Sequence, residues 1–171
     1  MKNEDQNVMS RKVAYSAIMI ALAMIFSYVE ALIPVDFGIP GVKLGIPNIV
    51  IVVGLYTISF YDVLIISILR VILTGILFGN VMTIWYSLAG GLLSIAIMWL
   101  LKRTRQFSMI GVSVAGGVSH NMGQLFTAIF FVKNLAVGMY FPVLMIAGVI
   151  TGAIIGFMSR IVLDRISAIR G

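Results

Sequence analysis

A guanidinium in the middle of an apolar run is the first residue here that calls for chemistry. Arg70 stands about eight residues from either end of its segment. A charge at that depth costs of order 2.5–3.5 kcal/mol on insertion scales, so it must face a partner, a cavity or a ligand. Ser67 and Thr74 lie three residues before and four after it, on the same helical face. That face reads as a counter-charge for an anionic ligand, or as half of an ion pair with Glu30 or Asp62. A second polar group interrupts a later run at His120, Asn121 and Gln124. His120 and Gln124 share a face one turn apart, with Gly116, Gly117 and Gly123 around them. This group reads as a hydrogen-bonding pocket wall or as interhelical glue. A third group, Gly41-Val42-Lys43-Leu44-Gly45-Ile46-Pro47-Asn48, opens a helix with accessible backbone N–H groups and a lysine. Such a helix start can seat an anion. Asn80, Trp85 and Tyr86 add polar and aromatic candidates at the head of another run. Trp85 and Tyr86 read equally well as interfacial anchors.

Other chemistries lack their residues. The chain has no cysteine, which removes disulfides, thiolate metal sites and thiol nucleophiles. Its one histidine has no Cys or acidic cluster beside it, so no metal site is expected. A phosphate-binding Gly-x-x-x-x-Gly-Lys-Ser/Thr loop is missing. So is any Asp-Asp pair of the kind that holds magnesium on a prenyl diphosphate, and only six acidic residues are present in total. No Ser–His–Asp arrangement is evident. The expectation is a binding protein, not an enzyme, without cofactor or metal.

These residues must be held by membrane helices. Of 171 residues, 61% are hydrophobic and 11% charged, against about 25% charged in soluble domains. The net charge of +6 collects at segment ends and reads as a topology signal, not as a nucleic-acid surface. Met1–Arg11 reads as a polar cytoplasmic leader with no signal-cleavage site. Six segments approach the roughly 20 helical residues that a bilayer core requires. They are about 13–33, 44–60, 62–77, 81–101, 108–132 and 140–163. Asp62 suits a helix start. The expectation is one all-α membrane domain, a six-helix bundle. With the N-terminus inside, nine basic residues (Lys2, Arg11, Lys12, Lys102, Arg103, Arg105, Arg160, Arg165, Arg170) face the cytoplasm and two (Lys43, Lys133) face outward. Both termini are then cytoplasmic. The connector Pro34–Lys43, broken by two prolines, reads equally as a lid over an outward pocket or as a simple spacer. No internal repeat is evident. Gly148, Gly152 and Gly156 make a smooth face for close packing, while Ala14, Ala17 and Ala21 offer one to an internal helix or a separate protein.

The stretches PGVKLGIPNIV, RVILTGILFGN, YSLAGGLLS, HNMGQLF and PVLMIAGVITG together carry a resemblance. The chain resembles the Gx transporter family, labelled heptaprenyl diphosphate synthase component I. That family is similar to the S components of energy-coupling factor (ECF) vitamin transporters. The resemblance implies a six-helix, S-component-like fold that binds a vitamin or cofactor precursor, here a small anionic one. It implies a partner too: a transmembrane coupling protein bound to two ATPases, docked on the Ala-xxx-Ala face of the first helix, which Ala17 and Ala21 match. The substrate-binding set is expected to be Lys43, Asn48, Arg70, Asn80, His120, Asn121 and Gln124. The alternative is a non-catalytic membrane subunit of a heptaprenyl diphosphate synthase, or a scaffold in quinone or flavin metabolism.

Overall fold

The computed structural model describes residues 2–32 and 45–170. Lys43 and the connector Pro34–Lys43 lie outside the described residues. Among those described, every regular element is helical: α1 (Lys2–Leu32), α2 (Asn48–Thr57), α3 (Phe60–Phe78), α4 (Val81–Thr104), α5 (Met109–Val132) and α6 (Phe141–Arg170), with a 3-10 helix at Leu135–Tyr140 before α6. One helix falls on each segment predicted from sequence.

The helix ends follow local chemistry. Ser59 caps α3 by accepting from the Asp62 N–H, and its hydroxyl donates to Asp62 Oδ2 at 2.7 Å. The cap is therefore Ser59, and Asp62 sits inside the first turn. Asn80 caps α4, its Oδ1 accepting from Thr83 N at 2.9 Å, and Ser108 caps α5. Arg105 and Lys133 close α4 and α5 in the left-handed conformation. At its other end, α1 continues unbroken from Lys2 through the segment expected to be a separate polar leader.

Among the described residues, four stretches are long and apolar enough to cross a membrane: Lys12–Leu32, Phe60–Phe78, Val81–Thr104 and Leu135–Ala168. The chain is thus a multi-pass membrane protein by length and composition. The other two predicted spans differ for physical reasons. α2 has ten residues, about 15 Å of helix, half the thickness of a bilayer core. Gly45, at φ +75°, and the 45–48 turn delay its start, and extended Ile58 ends it. It is a core helix instead, buried continuously from Val50 to Leu55. α5 has the length, 24 residues, but carries the polar stretch around His120.

Two packing modes join the helices. α4, α5 and α6 meet through glycines. A Cβ on Gly152 would lie 2.7 Å from the Ser113 carbonyl oxygen, and one on Gly123 would lie 2.7 Å from that of Ala89. The face of Gly148, Gly152 and Gly156 is spent inside the protein, against α5. By contrast α1, α2 and α3 pack through side chains, with Met19, Ala23, Val50–Val53, Leu55, Val63 and Ile66 in a core shared with Ile95, Met98, Val112 and Ile155. Large apolar residues such as Ile25, Ile76, Phe130, Ile146 and Phe157 face outward, a surface suited to lipid.

Two outcomes follow. Gly152→Ala should cost about 1–3 kcal/mol through overpacking, read as a lower unfolding midpoint in detergent. Gly138→Ala, whose Cβ would meet only Ile129 at 3.8 Å, should be close to neutral. Equal effects would contradict glycine-mediated contact. The cysteine-free sequence also permits a direct topology test. In intact cells a membrane-impermeant maleimide should label Leu135→Cys and spare Gln106→Cys if the basic residues set the orientation.

Candidate functional site

A cavity of about 100 Å³ lies between all six helices, toward the end where α1 and α3 finish and α2 and α4 begin. α1 contributes Ser27 and Glu30, the turn before α2 contributes Gly45, the first residue of α2 is Asn48, and α3 contributes Arg70 and Thr74. Across from them stand Thr83 and Ser87 of α4, His120, Asn121 and Gln124 of α5, and Thr151 of α6. The wall thus offers one guanidinium, one imidazole, one carboxylate, amides and hydroxyls inside an apolar bundle.

Arg70 is 9% exposed. Its Nη2 donates to Asn48 Oδ1 at 3.3 Å, which fixes one edge of the guanidinium. Its Nε is buried without a hydrogen-bond partner among the described residues, and so is Thr74 Oγ1. The backbone turn at Gly45 places Asn48. Gly45 O accepts from Asn48 N at 2.8 Å, and the Gly45 N–H donates to the Glu30 carboxylate. A side chain at position 45 would be strained by its positive φ and would press on Asn48 Nδ2 at 3.1 Å. Glu30 acts electrostatically on Arg70. Asp62, the other acid considered for that role, pairs instead with Lys12 at 3.0 Å, two turns away along α3.

On the far wall, Gly90 lets α5 come close. A Cβ there would fall 2.7 Å from the His120 carbonyl oxygen and 3.0 Å from Gln124 Cγ. Asn121 Nδ2 donates to Leu144 O at 2.7 Å, tying α5 to the start of α6. The hydroxyls of Ser27 and Thr151 donate to the carbonyls of Ala23 and Ala147, both at 2.8 Å. Their remaining lone pairs can only accept.

Five of the seven residues singled out from sequence line this one cavity: Asn48, Arg70, His120, Asn121 and Gln124. Asn80 does not. It is exposed, and its side chain is used as the α4 cap. Lys43 lies outside the described residues. Trp85 is 54% exposed and Tyr86 packs edge-on to Phe131, so neither lines the cavity. Ser27, Thr83, Ser87 and Thr151 enter the wall without having been singled out. Their signal was faint, because isolated serines and threonines in a span normally bond their own helix. Thr83 and Ser87 do stand four apart, on one face of α4. Ala14, Ala17 and Ala21 are exposed along α1.

Residues 19–162 match the family model described as heptaprenyl diphosphate synthase component I. No curated protein and no solved structure matches the chain.

Asn48→Ala removes a hydrogen bond to a buried charge, which should cost about 2 kcal/mol, measured by thermal unfolding in detergent. Asn48→Asp places a carboxylate beside Arg70 and should recover most of that loss. An Asn48→Ala protein as stable as the parent would show that the contact holds nothing.

Proposed function

The chain belongs to the heptaprenyl diphosphate synthase component I family, and on that premise we propose that it is the substrate-binding membrane subunit of an ECF-type transporter. In this reading it takes up a small anionic vitamin or cofactor precursor. One observation carries it: a buried arginine shares a polar cavity with the lone histidine, at the meeting point of six helices. A dry bundle has no use for such a hollow. Leaving polar groups unpaired in it costs free energy that an occupant would recover. Asn48, Arg70, His120, Asn121 and Gln124 are the contact residues, and Lys43 remains a candidate beside them. Asn80 is kept at most as a cap for the helix that brings Thr83 and Ser87 to the wall.

The chain is small, and its candidate site offers hydrogen bonds and charge but no evident energy source. A transport role therefore calls for a partner, proposed as a transmembrane coupling protein with two ATPases. The exposed Ala14, Ala17 and Ala21 give such a partner a smooth helix face. Cytoplasmic termini in the cell membrane complete the proposal, on the basic-residue bias read from sequence. The second reading, which the family description brings to mind, is a non-catalytic membrane subunit of a heptaprenyl diphosphate synthase.

Gentle extraction followed by native mass spectrometry tests both. A co-purifying small acid and a membrane coupling protein are expected. Affinity for that acid should fall at least about tenfold in Arg70→Ala and in His120→Ala. Unchanged affinity in both variants removes the assigned site. Recovery instead of a soluble prenyl diphosphate synthase, with activity that needs both chains, would establish the second reading.

A further inference from the structure

Two donors at the cavity find no partner among the described residues. Arg70 Nε and Thr74 Oγ1 are buried, and neither finds a hydrogen-bond partner among the described residues. They stand one turn apart on α3, and both residues line the cavity. Arg70 is more than nine-tenths buried. Ser159 Oγ is a third buried atom of this kind, but Ser159 does not line the cavity. Three neighbouring hydroxyls have already committed their protons, Ser27 and Thr151 to carbonyls of their own helices and Thr83 to Asn80 Oδ1. Asn48 takes one of the two N–H groups of Nη2, while Nε on the same edge of the guanidinium keeps its N–H unpaired among the described residues.

That pattern has a chemical counterpart. A guanidinium edge presents two parallel N–H groups, spaced for two oxygens of one carboxylate or phosphate. A hydroxyl one turn further along the helix can donate to the same group. We infer that Arg70 and Thr74 form the seat for an oxyanion group, a carboxylate or a phosphate, carried by the ligand of this cavity. This deepens the substrate-binding reading and rests on it. Thr74 becomes a specificity-determining residue: a ligand whose acid is replaced by an amide loses an acceptor that two buried donors require. His120 and Gln124, on the opposite wall, are left to read the remainder of the molecule.

The test uses the full-length protein purified in a neutral detergent, with sodium acetate and inorganic phosphate as probes and acetamide as the uncharged isostere. Unfolding midpoints are followed against probe concentration at constant ionic strength. At least one of the two anions should raise the midpoint saturably, and acetamide should not. Thr74→Val keeps the side-chain shape and removes an unpaired hydroxyl, so it should fold at least as well as the parent. It should weaken anion binding on the order of tenfold. Arg70→Lys keeps the charge, loses the fork and should weaken binding at least as much. Repeating the titration in phosphatidylcholine and phosphatidylglycerol nanodiscs separates the sources of the oxyanion. Competition by phosphatidylglycerol assigns the seat to a lipid phosphate, and its absence assigns it to a soluble acid. Anion binding that is unchanged in both variants overturns the seat. So does a wild-type protein that ignores both anions while holding a neutral co-purified ligand, and in that case the substrate-binding reading survives. A wild-type protein that binds no small molecule at all removes both.

Discussion

The bundle is organised around one charge that hydrocarbon will not accept. Arg70 sits in the middle of α3 and is almost wholly buried, so its guanidinium must find its solvation inside the protein. Three features supply part of it. Asn48 accepts one hydrogen bond, Glu30 adds an opposing charge, and the walls are set with amides and hydroxyls. Packing the centre with Leu and Ile would isolate the charge at a cost of several kcal/mol. The hollow is therefore the condition under which this arginine can stand at this depth. The turn at Gly45, the short α2 and the polar faces of α4 and α5 all serve that condition.

α5 shows how a polar helix is kept inside a membrane protein. It is long enough to span, yet it carries a polar stretch around His120. From Met109 to Leu125 not one of its residues is exposed. α4 covers it on one side through Gly90 and Gly123, and α6 on the other through Gly117, Gly148 and Gly152. Glycine has two effects here. It lets backbones touch, and in doing so it closes the gap through which lipid would reach His120 and Gln124. Beyond Leu125 the helix becomes aromatic and apolar, and Phe126 and Phe130 turn outward. The burial pattern thus follows the residue types, with polar residues where neighbours shield and apolar ones where they do not.

What the sequence disclosed and what it hid follow the same division. Apolar runs and the charges between them announce six helices, because hydropathy is a local property. The convergence of Arg70, His120 and Gln124 was legible because each is anomalous in its own span. The length of α2 was not, since it depends on a positive φ at Gly45 and on an extended residue at Ile58, which composition does not record. Asn80 misled for a related reason. An asparagine at a helix start can cap or can face a ligand, and only the geometry shows its oxygen bound to Thr83. Thr74 was visible as a neighbour of Arg70 but not as a donor without a partner among the described residues. Pairing is a long-range fact, as the bond between Lys12 and Asp62 also illustrates.

The two ends of the bundle are built to opposite purposes. Near the ends of α2 and α4 the structure is closed by cations. Lys102 donates to the Leu55 carbonyl, one of the last in α2, and lies over the Tyr56 ring, while Arg103 stacks on Trp99. Lys12 binds Asp62 at the neighbouring start of α3. At the other end the helices part around hydroxyls, amides and a single arginine. A ligand seated there has an apolar core between it and the basic end, filled by Val52, Val63, Ile95 and Met98. Gly116 of α5 approaches Met98 so nearly that a Cβ there would fall 2.5 Å from its Sδ, so this core is close-packed.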